Sequence, residues 1–170
     1  MECERVLQED SSTFDYHEGL MDLPVGYRFI PTDQELVLHY LLNKLQSKPL
    51  PCSVIVDISA DELYSKPPNQ LGINLFAREE LFFFIHYNGN HRVDRMVGDG
   101  IGRWKIIGEE TSTYSWEGFE FVFKKISLCY YSGKRSRGRR TKWVMVEHHL
   151  IREHKECVLG RIKRGELYTS

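Results

Sequence analysis

Residues 23–36 of the chain read Leu23-Pro24-Val25-Gly26-Tyr27-Arg28-Phe29-Ile30-Pro31-Thr32-Asp33-Gln34-Glu35-Leu36. Pro24 and Pro31 fix their own φ and push the preceding residues toward extended geometry, which predicts a rigid arm. Thr32 and Glu35 then form the Thr-x-x-Glu pattern of a capping box, which marks the beginning of a helix. Apolar residues follow at helical spacing and predict a helix with one buried face: Leu36, Val37, Tyr40, Leu41 and Leu45.

The remaining pattern predicts one more helix and then a series of strands. A second capping box, Ser59 to Glu62, predicts a short helix that ends near Ser65. Aromatic and β-branched runs predict strands at residues 80–87, 103–107, 119–123, 126–131, 143–147 and 157–162, with a basic loop at 133–142. Because the helices are confined to the front of the chain, this order predicts an α+β fold, a single domain with a few helices packed on an antiparallel sheet.

Composition limits the classes of protein that the chain can belong to. A length of 170 residues, 41% apolar and 28% charged, is ordinary for one globular domain. There is no long apolar run, so no membrane partner is expected. Residues 1–22 are acidic and aperiodic and are expected to be a flexible tail. The four cysteines lack any Cys-x-x-Cys pair, which argues against a zinc ribbon and a disulfide framework.

Charge is distributed unevenly along the chain. The net charge is −1, but residues 124–164 contain thirteen basic and three acidic residues, so this stretch carries about +10. The densest part is Lys134-Arg135-Ser136-Arg137-Gly138-Arg139-Arg140, where like charges repel unless a partner neutralises them. The alternative is a solvated charged surface. The clustering favours a polyanionic partner at one end of the molecule.

Enzyme motifs and metal-site motifs are absent from the sequence. It contains no Gly-x-Ser-x-Gly, no Gly-x-x-x-x-Gly-Lys loop and no His-Glu-x-x-His. His148, His149 and His154 do not suggest a metal site, because adjacent residues of a strand point to opposite faces. We therefore expect no enzymatic activity, no small-molecule substrate, no cofactor and no metal.

The arm and its helix resemble the opening block of the NAC family of plant transcription factors, Leu-Pro-Pro-Gly-Phe-Arg-Phe-His-Pro-Thr-Asp-Glu-Glu-Leu. The chain departs from that pattern at Val25, Tyr27, Ile30 and Gln34. The resemblance implies a homodimer, or a heterodimer with other NAC-domain proteins, formed through the arm with an Arg–Glu salt bridge across the interface. The implied interface residues are Leu23, Pro24, Gly26, Tyr27, Arg28, Phe29 and Glu35.

Four further blocks of the family occur in the same order, so that the implied domain covers residues 23–164, followed by a C-terminal tail at 165–170. The family has a twisted antiparallel sheet that inserts one strand, Trp-Lys-Ala-Thr-Gly, into the major groove of double-stranded DNA. Here that strand is Trp104-Lys105-Ile106-Ile107-Gly108. Trp104 is interpreted as a core aromatic anchor. The implied DNA-binding residues are Arg95, Arg103, Lys105, Ile107, Lys124, Lys125, Lys134, Arg135, Arg137, Arg139, Arg140 and Lys142.

The resemblance also implies nuclear localisation, for which residues 134–140 could serve as a signal. Two departures weaken the expected DNA binding. Glu109 and Glu110 follow Gly108, whereas the family continues after this glycine with a basic residue. Ile106 and Ile107 replace the Ala-Thr of the family. An alternative function is therefore a dimerising regulator that titrates other NAC proteins and binds DNA weakly or not at all.

Overall fold

The computed structural model describes residues 7–9, 27–71, 80–88, 95–134, 136–151 and 157–164. The strands in this part of the chain are β1 Leu7–Glu9, β2 Tyr27–Phe29, β3 Val56–Ser59, β4 Glu80–His86, β5 Met96–Val97, β6 Gly102–Trp116, β7 Phe119–Ser132, β8 Arg139–Leu150 and β9 Cys157–Arg164. Helix α1 consists of three consecutive segments, Asp33–Glu35, Leu36–Leu41 and Leu42–Leu45, helix α2 covers Ala60–Leu63, and a 3₁₀ turn covers Pro68–Gln70.

Both predicted helix beginnings are confirmed. The Thr32 hydroxyl accepts a hydrogen bond from the Glu35 N–H at 3.2 Å, and the Ser59 hydroxyl accepts one from the Glu62 N–H at 3.1 Å. The middle segment of α1 is π-helical, which apolar spacing does not predict because the buried face hardly changes over so short a length. Five of its six side chains are buried: Leu36, Val37, Leu38, Tyr40 and Leu41.

One sheet contains seven of these strands in the order β3-β4-β9-β8-β7-β6-β5, while β1 and β2 form a separate antiparallel pair. Within the seven-stranded sheet every pairing is antiparallel except the parallel pair β3–β4. The prediction of a mainly antiparallel sheet with few helices is confirmed. Strand β3 was not predicted, since four residues next to a capping box carry no separate strand signal.

Three boundaries predicted from the sequence are wrong. The run 103–107 is only the first part of β6, which continues to Trp116. The runs 119–123 and 126–131 belong to one continuous strand, β7, because Lys124 and Lys125 between them remain paired with both β6 and β8. The predicted loop at 133–142 ends at residue 138, because β8 begins at Arg139. Charged side chains lie at both of the last two places. Backbone pairing continues through them, since their charged ends reach the surface.

Around β4 the sheet buries both of its faces, and the residues of this strand divide between two clusters. Phe82 and Phe84 join a cluster that contains the apolar face of α1, whereas Leu81, Phe83 and Ile85 join a second cluster that contains Leu63 and Tyr64 at α2. Alternate residues of a strand point to opposite faces, so α1 and α2 cover opposite sides of the sheet.

The arm contacts residues that precede it in the chain and residues that follow it. Strand β2 pairs with β1, which lies inside the segment expected to be a flexible tail; Arg28 is opposite Gln8 in this pair. Phe29 packs edge-on against Tyr40 of α1 at 5.4 Å and against Phe82 of β4 at 4.9 Å between ring centroids. The rest of residues 1–22 and the tail at 165–170 lie outside the described residues.

Cys52 is disulfide-bonded, whereas Cys129 and Cys157 are free and buried. The cysteine spacing argues against a disulfide framework and does not indicate the bond at Cys52, because sequence spacing does not reveal which cysteines the fold brings together. Within the described ranges no helix is long and apolar enough to cross a membrane.

Candidate nucleic-acid interface

Strand β6 forms an exposed edge of the seven-stranded sheet over most of its length. Strand β5 pairs only with Arg103 and Gly102, so from Trp104 onward the described residues place no strand on the outer side of β6. Every residue from 105 to 113 is exposed, on both faces of the strand. Such a strand can enter a cleft edge-first. The charges of Lys105, Glu109 and Glu110 also hinder pairing with another sheet edge.

A β-bulge interrupts β6 at Ile107. Ile106 is opposite Leu128 of β7 and Gly108 is opposite Ser127, so Ile107 is an extra residue. A strand of period two would place Lys105 and Ile107 on one face, but the bulge shifts every residue after Ile106 by one position. Ile106 and Ile107 are 42% and 48% exposed, an unusual position for two large apolar side chains.

Trp104 is buried, and Lys105 beside it is exposed. Trp104 is buried and packs against Tyr130 with ring centroids 5.3 Å apart, which confirms that it is a core aromatic anchor. Lys105 is exposed, and its Nζ lies 5.5 Å from the centroid of the Tyr131 ring, within the range of a cation–π contact. The buried tryptophan thus fixes the strand beside an exposed lysine.

Two of the predicted DNA-contacting lysines are paired with acidic side chains of the same chain. Lys124 Nζ lies 3.3 Å from Glu109 Oε2, and both side chains are more than a third exposed. Lys125 Nζ lies 2.8 Å from Asp33 Oδ2 at the beginning of α1. Burial raises the pKa of Asp33, but its hydrogen bond to Lys125 and nearby positive charges lower it overall. A phosphate would have to displace these carboxylates.

Arg95 lies in a buried ionic network rather than at the surface. Its Nε and NH2 donate to the two carboxylate oxygens of Glu147 at 3.1 and 3.0 Å, and the Glu147 side chain is 0% exposed. Tyr64 donates a hydrogen bond to the same carboxylate at 2.9 Å, and a His149 ring nitrogen lies 2.8 Å from it. This placement gives Arg95 a role in holding the sheet together, and it is not among the DNA contacts proposed below.

The network has consequences for proton binding. Burial raises the pKa of Glu147, but its hydrogen bonds and the charge of Arg95 outweigh burial and lower it to about 2. His148, adjacent in β8, points to the other face, where its Nε2 lies 3.7 Å from Asp33 Oδ1. Burial lowers the pKa of His148 to about 4, although the Asp33 charge opposes that change. The two neighbouring histidines therefore contact different groups, as the strand geometry requires.

The remaining predicted cations lie near the β7–β8 connection. Lys134, Arg137, Arg139 and Arg140 are exposed, Arg103 and Lys142 are half-exposed, and Arg135 lies outside the described residues. Arg103 is opposite Tyr131 on β7, and Arg140 is opposite the same residue from β8. Tyr131 is thus flanked on both sides by arginines and approached by Lys105, a grouping that the sequence did not indicate.

The arm residues are described only in part. Leu23, Pro24 and Gly26 lie outside the described residues, and only the backbone of Tyr27 is described. Arg28 is exposed, whereas Phe29 is packed into the core of its own protomer. The Oε2 atom of Glu35 is buried and has no hydrogen-bond partner among the described residues.

Two features of the site escaped prediction although the sequence carries a signal for them. Glu147 occurs in an apolar strand, where a buried carboxylate requires a cationic partner. Glu109 and Lys124 are diagonal neighbours because β6 and β7 form a hairpin whose turn, at Glu117 and Gly118, has positive φ. The turn sequence Glu-Gly could have indicated the hairpin and hence this pair.

The described part of the chain thus combines an exposed edge strand, a concentration of cations beside it and a mainly antiparallel sheet. A family model described as No apical meristem (NAM) protein matches residues 24–150. The chain therefore belongs to this family, the NAC-domain proteins.

Three relatives illustrate the similarity. NAC domain-containing protein 68 of Oryza sativa subsp. japonica is 38% identical over 138 residues, 78% of this chain and 42% of that protein. NAC transcription factor 56 and NAC domain-containing protein 83 of Arabidopsis thaliana are each 36% identical, over 76% and 78% of this chain and 36% and 51% of their own lengths. The chain thus spans about half or less of these relatives.

Proposed function

We propose that this chain is a sequence-specific DNA-binding domain of a nuclear transcription factor, which binds double-stranded DNA as a dimer. Its membership of the NAC family and its similarity to NAC transcription factor 56 support the class. The proposed functional unit is the domain at residues 23–164. The observation that carries the proposal is the free outer edge of β6, with nine consecutive exposed residues.

In the proposed complex the exposed part of β6 enters the major groove. That groove is about 12 Å wide and admits extended backbone. Lys105 contacts bases or phosphates, and the bulged Ile107 makes apolar contact with a thymine methyl group. Arg103, Lys134, Arg137 and Arg139 bind backbone phosphates, which supplies affinity that is independent of sequence and sensitive to salt.

The dimer is proposed to form through the arm. Glu35 Oε2 is a buried carboxylate oxygen without a hydrogen-bond partner in the described part of its protomer, and buried acceptors of this kind are rare in folded proteins. A cation supplied by the second subunit would satisfy it. Arg28, which is exposed on β2 seven residues earlier, is the residue proposed to do so.

An electrophoretic mobility shift with duplexes carrying the CACG-like core of the family tests the DNA proposal. We expect a retarded band at low salt that an excess of random duplex does not remove. Lys105→Ala should weaken the band, and Lys48→Ala, a matched change at an exposed lysine just after the end of α1, should not. Absence of any retarded band at low salt would refute the proposed function.

A second candidate function is a regulator that dimerises with other NAC-domain proteins and binds DNA poorly. The ion pairs of Lys124 with Glu109 and of Lys125 with Asp33 favour it, because each withdraws a cation from phosphate binding. Co-purification with a second NAC domain, followed by a mobility shift of the mixed dimer, separates the two functions. A mixed dimer that binds DNA less well than the partner's own dimer would support the second candidate.

A further inference from the structure

Strand β1 covers one edge of β2, the strand of the arm. The two strands are antiparallel, and their pairing runs from Leu7 opposite Phe29 to Glu9 opposite Tyr27. Paired strands exchange backbone hydrogen bonds, so the N–H and C=O groups on this edge of β2 are turned toward β1. An open strand edge is a template for pairing with another chain. The chain therefore occupies, with its own N-terminal segment, an edge that a second arm could use.

The pairing of β1 with β2 is too short to persist without support. Each strand has three residues, and the pair is separate from the seven-stranded sheet. An isolated pair of strands is at best marginally stable in water. The chain between the two strands tethers β1 only loosely, because a long linker leaves many arrangements open. A second link close to β1 is needed to hold it on the arm.

The cysteines provide such a link. The chain contains four of them, Cys3, Cys52, Cys129 and Cys157. Cys52 is disulfide-bonded, whereas Cys129 and Cys157 are free. Elimination leaves Cys3, which lies outside the described residues, as the partner of Cys52. A bond between them closes a loop that contains the whole arm and α1.

The position of Cys52 agrees with this pairing. Cys52 is buried in the core cluster that includes α1, and Phe29 of the arm packs against the same cluster. Leu7 is directly opposite Phe29. Cys3 precedes Leu7 by four residues, which span at most about 14 Å when extended. A bond from Cys3 to Cys52 is thus compatible with β1 in its observed place beside the arm.

We propose that a disulfide between Cys3 and Cys52 holds β1 on the edge of β2, and that its reduction frees this edge for the arm of a second subunit. This inference rests on the arm-mediated dimer of the proposed function. A strand fixed in the same chain acts at an effective concentration of the order of mM, so it excludes a second arm while the bond is intact. We call this arrangement the disulfide clamp.

Opening the clamp requires a dithiol reductant. A thiolate of the reductant attacks one sulfur of the bond and forms a mixed disulfide, and the second thiol of the reductant then resolves it. Two electrons and two protons pass to Cys3 and Cys52, which become thiols, and the reductant is left as a disulfide. Intracellular compartments keep most thiols reduced, so the clamp opens there and closes under oxidising conditions.

Peptide mapping tests the bond itself. The purified chain is alkylated without reduction, digested and analysed by mass spectrometry. We expect a cross-linked peptide pair that contains Cys3 and Cys52 and disappears after reduction, with Cys129 and Cys157 recovered as alkylated single peptides. Recovery of alkylated Cys3 and Cys52 from the unreduced chain would overturn the proposal.

Hydrogen exchange tests whether the bond holds β1 on the arm. The amides of Tyr27–Phe29 should exchange at least about tenfold faster after reduction or in Cys3→Ser, because the loop constraint is lost. Amides of β9 are the internal control and should not change. Cys3→Ser should show no further response to reductant. Equal exchange at the arm with and without the bond would overturn the proposal.

Sedimentation velocity separates the clamp from the proposed dimer. The reduced chain and Cys3→Ser should dimerise at least about tenfold more tightly than the oxidised chain, since β1 no longer competes for the edge. Faster exchange on reduction, with no dimer under either condition, would refute the arm dimer and leave the disulfide clamp standing. A dimer of equal affinity in both states would refute control by the clamp and leave the dimer standing.

Discussion

Glu109 Oε2 lies 3.3 Å from Lys124 Nζ across the β6–β7 pair, on the strand that we propose to enter the DNA groove. Lys124 is directly opposite Thr111, so Glu109 reaches it diagonally along the ladder. Both side chains are more than a third exposed, so the pair contributes little to stability. Its consequence is electrostatic, because the carboxylate repels phosphate and occupies a lysine that would otherwise bind it.

Glu109→Gln should therefore increase DNA affinity. We expect a gain of about three- to tenfold at low salt and a salt-dependence slope steeper by about one, because one more lysine becomes free to release a counterion from DNA. Fluorescence anisotropy over a salt series measures both quantities.

The matched control is Glu120→Gln, an exposed glutamate near the other end of the hairpin. It should leave DNA affinity unchanged, and both variants should unfold within about 1 kcal/mol of the parent chain. Equal affinity of the Glu109 variant and the parent would show that the pair does not limit binding.

How far the sequence predicts this structure depends on whether the signal is local. Thr32 and Ser59 each belong to a four-residue capping pattern that predicts the beginning of a helix. The structure has both helix beginnings at the predicted positions. The bulges at Ile107 and opposite Tyr130 depend on how neighbouring strands align, which a single strand does not encode.

Arg95 shows the same limit for the site. Its position in the sequence resembles a DNA contact of the family, and arginines are mostly exposed in folded proteins. The fold instead brings it to Glu147, 52 residues later, inside the sheet. Such a pair becomes visible only when β8 is known to place Glu147 on the face that Tyr64 covers.

Glu147→Gln should strongly destabilise the fold. The change leaves the Arg95 guanidinium buried without its counter-charge, and breaking a buried pair by removing one partner costs about 3–5 kcal/mol. Urea unfolding followed by circular dichroism measures the loss, with Glu120→Gln again as the exposed control. A loss below about 1 kcal/mol would show that water or another group compensates for the missing charge.

Stability should fall as the pH falls below about 6.5. His148 binds a proton near pH 6.5 when unfolded but only near 4 when folded, so the unfolded state binds more protons between these values. Glu147 extends the effect from pH 4.5 down to about 2, since its folded pKa is also below its unfolded value. Both contributions are complete at neutral pH.

Denaturant unfolding at a series of pH values measures this dependence. His148→Gln should remove the part between pH 6.5 and 4 and leave the steeper loss at lower pH. The assignment to His148 would be contradicted if the variant and the parent chain lost stability in parallel over that range.

Charge reversal tests the proposed arm interface. Arg28→Glu and Glu35→Arg should each raise the dimer dissociation constant at least about tenfold, because each places like charges across the interface. The double variant should recover most of the loss, which sedimentation velocity measures.

Thr32→Ala is the control that separates helix capping from dimerisation. It removes the hydroxyl that caps α1 and changes no charge. It should lower stability by about 1 kcal/mol and leave dimerisation intact. Single reversals that leave the dimer unchanged would place the interface elsewhere.

The most direct test of the central claim is selection of binding sites from random duplexes by the purified chain, compared with Lys105→Ala. The account predicts that the parent chain enriches one short motif and that the variant loses enrichment at defined positions while retaining salt-sensitive binding. If the parent chain enriched no motif at low salt, or if the variant enriched the same motif equally, the claim that β6 reads DNA would be contradicted.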